Sequence, residues 1–324
     1  MELERKADSP LTAFAAFRKR FKKERAMHLF VGLGIAFLLV FNYIPMFGIL
    51  MAFKKYSIVS GIPGIFTSPW AGLAHFKEFV SDYRFGEIVR NTIALSLLKV
   101  VFTFPAPILF AILLNEARHM LFKRFVQTVS YLPHFISWVV VVGLSFSFFS
   151  TDIGIVNKLL VGWGWTDKPL AILTGANYFW GLAVGSAVWK EMGWWAIIFL
   201  AAIAGINPSL YEAAQIDGAG RLARIWHITL PGIRGTVVVV MILTIGSILG
   251  GGLVGSNFEQ AYLLGNDLNN STSEIVQTYA FKVGLADGRY SYAAAIDLIQ
   301  SIISVTLIFA SNAIARRTSG SSLF

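Results

Sequence analysis

The distribution of charged residues constrains the fold of this chain more than any other feature. Six long apolar stretches carry at most two charged residues each: 29–53, 91–115, 125–151, 177–204, 235–258 and 290–315. A helix that crosses the hydrocarbon core of a bilayer needs about 20 such residues. Only 14% of the 324 residues are charged and 56% are hydrophobic, more apolar surface than a soluble domain of this size can bury. The sequence predicts an all-α, polytopic membrane protein with six transmembrane helices.

Lysine and arginine are distributed unevenly between the two sides of the membrane that six spans would create. With the N-terminus inside, the inner segments (1–28, 116–124, 205–234 and 316–324) hold 16 of them, and the outer loops hold 9. Because positive residues favour cytoplasmic loops, both termini are predicted to be cytoplasmic. The chain then consists of a basic N-terminal segment (1–28), a six-helix membrane domain (29–315) and a cytoplasmic tail (316–324).

Several kinds of chemistry lack the residues that they need. The chain has no cysteine and only five scattered histidines, so no metal site is predicted. It has no Gly-x-x-x-x-Gly-Lys-Ser/Thr motif, so it is not expected to hydrolyse ATP itself. Membrane topology explains its net charge of +9, and no nucleic-acid partner is predicted.

The predicted cytoplasmic loop 205–234 has the signals of a folded element. Ser209 with Glu212 fits a capping box at the start of a short helix. Gly218 can adopt the left-handed conformation that ends a helix. Pro231 is expected to restrict the chain just before the fifth span begins. A structured loop of this length between two spans is usually functional.

The residue spacing in this loop resembles a family signature. The chain has Glu-Ala-Ala at 212–214, then Gly218, Ile228 and Leu230-Pro231. This pattern is similar to the EAA signature of permease subunits in binding-protein-dependent ABC importers, which implies a type I importer permease fold. Further stretches resemble the carbohydrate branch of that family, and within it the Lpl-type permeases for oligo- and polysaccharides: 131–137, 206–208, 228–231 and 291–293.

The resemblance implies how the loop works. In that family the EAA loop forms a coupling helix that sits in a groove of a cytoplasmic ATPase subunit and passes its movement to the membrane helices. ATP and Mg are bound by the ATPase subunits, and no cofactor is expected on this chain. By resemblance, the coupling residues here are Glu212, Ala213, Ala214, Asp217, Gly218, Arg221, Leu230 and Pro231.

The resemblance also implies partners and a substrate class. The family completes a translocation unit with a second homologous permease, two cytoplasmic ABC ATPase subunits and a periplasmic solute-binding protein. The chain would be a multi-pass subunit of the bacterial inner membrane that moves an oligo- or polysaccharide into the cytoplasm. General likeness to the first permease subunit of alginate importers implies alginate or a related acidic saccharide.

Four charged residues fall inside predicted spans: Lys99, Lys190, Glu191 and Asp297. A charge at mid-depth costs roughly 2.5–3.5 kcal/mol on insertion scales, so these residues should face the bundle interior or water. Neighbouring helical residues point about 100° apart, so Lys190 and Glu191 are not expected to pair with each other. At least one should find a partner on another helix, and an ion pair and a substrate contact both remain open.

Aromatic and polar residues from the third span onward suggest a substrate pathway. Sugar rings stack on aromatic faces, although tryptophan is also enriched at membrane interfaces. The segment from Asn257 to Tyr290 is expected to face the periplasm and receive the substrate. The pathway candidates are Trp138, Trp189, Lys190, Glu191, Asn257, Glu259 and Gln260.

Two spans carry helix-breaking residues. Pro105 and Pro107 predict a kink in the second span. Three consecutive glycines at 250–252 favour a local break in the fifth span, although close helix packing would also explain them.

Two other function classes are alternatives to an ATP-driven importer. An intramembrane serine protease would need a Gly-x-Ser-Gly turn, but Gly143-Leu144-Ser145-Phe146 lacks the final glycine and the last two spans have no histidine. A secondary transporter would be expected to show repeated halves, yet the triple glycine has no counterpart in the second span. Neither alternative explains the structured loop.

Overall fold

The computed structural model describes residues 23–246, 249 and 257–319, and these ranges are helical without a β-strand. Shorter helices lie in the connecting loops, at Gly61–Thr67, Ala74–Val80, Ile155–Gly162 and Asn270–Ser273. The main helices are α1 (Arg25–Phe53), α2 (Phe85–Phe102), α3 (Pro105–Glu116), α4 (Met120–Tyr131), α5 (Trp138–Phe149), α6 (Ala176–Ala204), α7 (Pro208–Ile216), α8 (Arg221–Gly246), α9 (Asn257–Leu264), α10 (Val276–Phe281) and α11 (Tyr290–Ser319).

The helix lengths confirm the predicted all-α membrane architecture. Within the described ranges, five helical segments are long and apolar enough to cross a membrane: α1, α2 with α3, α6, α8 and α11. The pair α4 and α5 makes a sixth if the two are counted as one span. Where the structure describes them, the loops between these segments hold short helices.

The prediction of one continuous helix over residues 125–151 is wrong. The segment bends by 106° between α4 and α5. After α4 the chain tightens into a 3-10 turn that contains Pro133, and Ser137 then caps α5 by accepting a hydrogen bond from the Val140 N–H at 3.4 Å. Proline in a turn followed by a serine cap is a combination that ends one helix and starts another.

The helix of the second span is interrupted next to the prolines that predict a kink. The helix stops at Phe102 and resumes at Pro105, because proline suits the first turn of a helix, where no donor N–H is needed. The predicted glycine break at 250–252 lies outside the described residues.

The expectation that Pro231 restricts the chain before a separate helix is wrong. Helix α8 begins at Arg221 and runs through Pro231 to Gly246. Residues Ile225–Thr229, just before the proline, form a π-helical turn. Proline has no N–H donor, and its ring would crowd the carbonyl groups of the preceding turn. The wider π-helical turn changes the hydrogen-bond pattern at this point, so the helix continues through Pro231.

The bundle has apolar clusters at two levels. One is formed by α3, α6 and α8 and includes Phe104, Ala111, Phe199, Ile203 and Ile233. A second cluster lies near the start of α6 and includes Phe179, Ala183, Leu264 and Ile275. A third lies near the start of α11 and includes Phe79, Tyr279 and Tyr292. Because α7 follows the C-terminal end of α6, it lies at one end of the bundle, termed the loop end. Residues 257–290 lie at the opposite end, termed the far end.

Helix α1 packs against the rest of the chain only near its C-terminal end. Residues 25–46 include no buried residue. The last turns, Phe47–Phe53, lie against α11 and bury Ala52. Most of this apolar helix is therefore available to lipid or to another subunit.

Gly193 allows α6 to cross α4 closely. A Cβ atom there would overlap the Ser130 carbonyl oxygen.

We expect Gly193→Ala to destabilise the protein by about 1–3 kcal/mol, because the backbone must move to accommodate the added carbon. The measurement is thermal unfolding of the purified subunit in detergent. Gly185→Ala is the control, since nothing lies within 4 Å of its added carbon, and equal unfolding temperatures would contradict the prediction.

Candidate functional site

Helix α7 is capped by a different residue from the one predicted. The Asn207 side chain accepts a hydrogen bond from the Ser209 N–H at 3.0 Å, and Pro208 is the first helical residue. The predicted Ser209 and Glu212 capping box is therefore wrong. Asparagine is among the strongest N-cap residues, and its position before proline places it at the helix boundary.

Gly218 ends α7 in the conformation expected of a helix stop. Its φ is +77°, and the next residue, Ala219, donates its N–H to the Ala214 carbonyl at 2.8 Å. Asp217 is the C-cap residue. An L-residue with a side chain is strained at this φ, so the turn depends on glycine.

The surface of α7 is open. None of its residues is buried, and Glu212 and Ala213 are exposed. Leu210 and Ile216 add apolar surface, with 51% and 86% of their area exposed. A short helix that presents an acidic residue, a small residue and exposed aliphatic residues together can dock into a groove on another protein.

The α7 helix is attached to the start of α8 by side-chain contacts. The Tyr211 hydroxyl lies 3.0 Å from the Thr229 hydroxyl. Ile206 packs so closely against Gly232 that an added Cβ would lie 2.6 Å from the Ile206 Cδ1 atom. A displacement of α7 must therefore act on α8, which holds the other three predicted coupling residues, Arg221, Leu230 and Pro231.

In the middle of the bundle, Lys190 and Glu191 contact each other, contrary to the prediction. The Lys190 Nζ atom lies 3.3 Å from the Glu191 Oε1 atom. Their Cα–Cβ bonds diverge, but the long side chains bend towards each other. Each also contacts His134 of the turn between α4 and α5. The Lys190 Nζ atom donates to the His134 carbonyl at 2.6 Å, and the Glu191 Oε2 atom lies 2.8 Å from the His134 Nδ1 atom.

His134 is a residue that the sequence reasoning did not select. Its ring stacks on Trp194 at 4.5 Å with an interplanar angle of 1°. The Lys190 Nζ atom, which donates to the His134 carbonyl, also lies 5.6 Å from the centre of the Trp138 ring. The signal that could have found His134 is Pro133, because a proline inside an apolar run indicates a bend whose neighbours need polar partners.

The charge cluster comprises His134, Lys190, Glu191 and Lys99. Lys99 of α2 is fully buried within electrostatic reach of Glu191. Lys190 and Glu191 are each 5% exposed. The Glu191 carboxylate therefore contacts Lys190 and His134 directly inside the bundle.

The predicted pathway residues do not form one surface. Trp138 lies against Lys190 of the charge cluster, whereas Trp189 is 46% exposed and lines a separate cavity of about 300 Å³ between α5 and α6. Gln260 is buried and donates to the Ala183 carbonyl at 2.8 Å, and Asn257 donates to the Ser96 hydroxyl at 3.2 Å. Glu259 is exposed.

Ser145 does not have the surroundings of a nucleophile. Its hydroxyl donates to the Val141 carbonyl one turn earlier at 2.9 Å. A serine protease requires a base within hydrogen-bond reach of this hydroxyl. The hydroxyl instead satisfies the backbone of α5.

At the far end, a buried carboxylate fastens the 257–290 segment to α2. Glu274 is 2% exposed and forms ion pairs with Arg84 and with Lys282, whose Nζ atom lies 2.9 Å away. The Asn91 side chain donates to the Glu274 carbonyl at 3.0 Å. Three charged side chains therefore fix this turn, and the sequence reasoning did not identify them.

A second polar contact at the far end joins Asp82 to α10. The Tyr279 hydroxyl donates to the Asp82 carboxylate at 2.6 Å. Burial opposes ionisation of Asp82, but hydrogen bonds from Tyr279 and from the Arg84 N–H outweigh it, so the pKa of Asp82 lies below its usual value. Burial, together with the bond to the carboxylate, raises the pKa of Tyr279 to about 12. The contact therefore persists at neutral pH.

Comparison with known proteins relates this arrangement to transport systems. Residues 103–320 match the family described as binding-protein-dependent transport system inner membrane component. The protein LplB of Bacillus subtilis (strain 168) is 43% identical over 94% of this chain and 92% of its own length. The polygalacturonan/rhamnogalacturonan transport system permease protein YteP of the same organism is 40% identical over 96% of each chain.

A solved structure shows the same fold. It is that of a bacterial alginate ABC transporter in complex with an alginate pentasaccharide-bound periplasmic protein. The matching chain is 35% identical, with a TM-score of 0.83 over 94% of this chain and 99% of that chain.

Proposed function

The chain belongs to the family of inner-membrane components of binding-protein-dependent transport systems, as a permease subunit of a sugar ABC importer, and we propose that α7 couples it to ATPase subunits. The observation that carries this proposal is the position of α7. The helix exposes the Glu-Ala-Ala sequence at the loop end and is attached to α8 through Tyr211 and Ile206. Movement of a docked ATPase would therefore reach a membrane-spanning helix directly.

We infer that the working unit contains a second homologous permease, two ATPase subunits and a periplasmic solute-binding protein. The exposed length of α1 supports pairing with another membrane subunit, because residues 25–46 include no fully buried residue in the part of the chain that the structure describes. The test is copurification from native membranes at low detergent, with identification of the associated chains and of any bound saccharide. Recovery of this chain without an ATPase subunit would contradict the proposal.

We also propose that both termini and α7 are cytoplasmic and that the far end is periplasmic. The excess of lysine and arginine on the α7 side supports this orientation. We expect a cysteine placed at the exposed Ser271 to react with an impermeant thiol reagent from the periplasmic side only. The native chain has no cysteine, so the parent protein is the control. Labelling from the cytoplasmic side alone would reverse the proposed orientation.

The substrate that we propose is alginate or a related acidic oligo- or polysaccharide. Two similar proteins carry the names of acidic polysaccharides, alginate and polygalacturonan. Lys190 of the charge cluster supplies an intramembrane cation that fits this substrate class, because a desolvated anion needs a compensating charge.

Lys190→Gln tests the acidic substrate. We expect it to lower uptake of an alginate oligosaccharide more than it lowers the amount of folded subunit, because it removes the ammonium group that would compensate a carboxylate of the substrate. The measurement is uptake into proteoliposomes, normalised to the amount of subunit. Equal losses of uptake and folded subunit would assign Lys190 a purely structural role, and unchanged uptake would remove it from the pathway.

A further inference from the structure

A cavity at the far end contains an intramembrane carboxylate that the proposed coupling and pathway residues leave unused. The cavity has a volume of about 410 Å³ and lies between the end of α1, the 257–290 segment and α11. Its lining includes Asp297, Gln277, Tyr290, Phe258, Phe281 and Ala294. Binding sites for small molecules commonly have volumes of roughly 300–1,000 Å³, so this cavity is large enough to hold a ligand.

The cavity lining carries one carboxylate, that of Asp297, together with the polar groups of Gln277 and Tyr290. Asp297 forms no ion pair with any residue in the described ranges, although it lies two turns inside α11. Its side chain is exposed and lines the cavity, so its carboxylate can accept hydrogen bonds from a ligand held there.

The apolar lining is aromatic. Phe258 and Phe281 contact each other at 5.2 Å with an interplanar angle of 65°, and Tyr290 adds a third ring to the lining. Sugar rings combine hydroxyl donors with apolar C–H faces, so they match both parts of this cavity. A calcium ion matches it poorly, because calcium takes six to eight oxygen ligands and the cavity offers one carboxylate.

We propose that this cavity is a subsite for an uncharged sugar unit. Asp297 accepts hydrogen bonds from the ring hydroxyls and repels the carboxylate of an acidic unit, whereas Lys190 of the charge cluster attracts an acidic unit. A saccharide chain that satisfies both sites carries uncharged as well as acidic units. This inference rests on the proposed function of the chain in saccharide import and, among the proposed acidic saccharides, favours chains of mixed composition over alginate, whose units are all acidic.

The experiment measures protection of a cysteine in the cavity. Ala294→Cys places the only thiol of this chain in the cavity lining, and Ser271→Cys places one outside it at the same end. The assembled transporter is labelled with an uncharged maleimide in the presence of arabinotetraose, which is neutral, or tetragalacturonate, which is acidic. We expect arabinotetraose to slow labelling at residue 294 by about tenfold and tetragalacturonate to leave it unchanged, while labelling at residue 271 is constant.

Asp297→Asn in the Ala294→Cys background tests the role of the carboxylate. We expect protection by arabinotetraose to weaken and protection by tetragalacturonate to appear. Asp287→Asn, a matched change at an exposed position of the same end outside the cavity lining, should alter neither. Protection by calcium or sodium ions but by no saccharide would overturn the subsite, as would an unchanged pattern in Asp297→Asn.

Uptake by the unmodified transporter separates the two proposals. Saccharide uptake without any protection at residue 294 would overturn the subsite and leave the proposed function intact. If no saccharide of either class stimulated ATP hydrolysis or entered proteoliposomes, the proposed function would fail and the subsite with it.

Discussion

Glu212→Ala is expected to lower saccharide-stimulated ATP hydrolysis and saccharide uptake by about tenfold or more, within the range of coupling free energies of roughly 1–3 kcal/mol. The amount of folded subunit should not change, because Glu212 is exposed on a helix that buries none of its residues. The effect should therefore appear only when the ATPase subunits are present. The measurement compares ATPase activity and uptake in proteoliposomes with the amount of inserted subunit.

Two glycines of the same loop provide matched variants for this test. Gly218 has a φ of +77° and Gly220 a φ of −66°, and nothing lies within 4 Å of a Cβ added at either. Gly218→Ala should therefore strain the end of α7 by about 1–2 kcal/mol and reduce coupling, whereas Gly220→Ala should not. Wild-type transport by the double variant Glu212→Ala, Gly218→Pro would show that α7 does not couple the subunits.

Glu191→Gln is expected to be the most destabilising single change in the charge cluster. It removes the carboxylate that contacts both Lys190 and His134, and removing one partner of a buried ion pair costs about 3–5 kcal/mol. Lys190→Gln should cost less, because a glutamine amide can still donate a hydrogen bond to the His134 carbonyl. Thermal unfolding in detergent and the yield of monodisperse protein measure both effects.

The control for Glu191→Gln is Glu212→Gln, the same change at an exposed position. It should leave the unfolding temperature unchanged. If Lys190→Gln proved as damaging as Glu191→Gln, the ion pair between these two residues, rather than the contact of Glu191 with His134, would hold the cluster together.

The sequence predicts the helices better than it predicts their breaks. Absence of charge identifies the apolar segments because the bilayer penalises every charge in the same way. Pro105 revealed a break, whereas the 106° bend between α4 and α5 was missed, because proline and serine also occur within continuous spans. Pro231 caused the opposite error, because it suggested a break where the π-helical turn Ile225–Thr229 allows the helix to continue.

The candidate sites show the same division between local and tertiary information. The end of α7 at Gly218 was predictable because a left-handed helix stop depends on one residue and its neighbours. The contact of Lys190 with Glu191 was not, because it depends on His134, which lies 56 residues before Lys190 and is brought to α6 by the bend. The angle between adjacent Cα–Cβ bonds on a helix does not show that two long side chains can both reach a third residue and so contact each other.

The bend between α4 and α5 also determines how this subunit meets lipids of different acyl-chain length. Helix α5 has 12 residues and extends only about 18 Å, whereas α6 has 29 residues and extends about 44 Å. Lipids beside α5 therefore contact a short apolar surface, and the bilayer there must become thinner or its lipids must tilt. Lipids beside α6 contact a longer surface and need neither change. Hydrophobic mismatch costs fractions of a kcal/mol per Å, and in this chain it falls on one flank of the bundle.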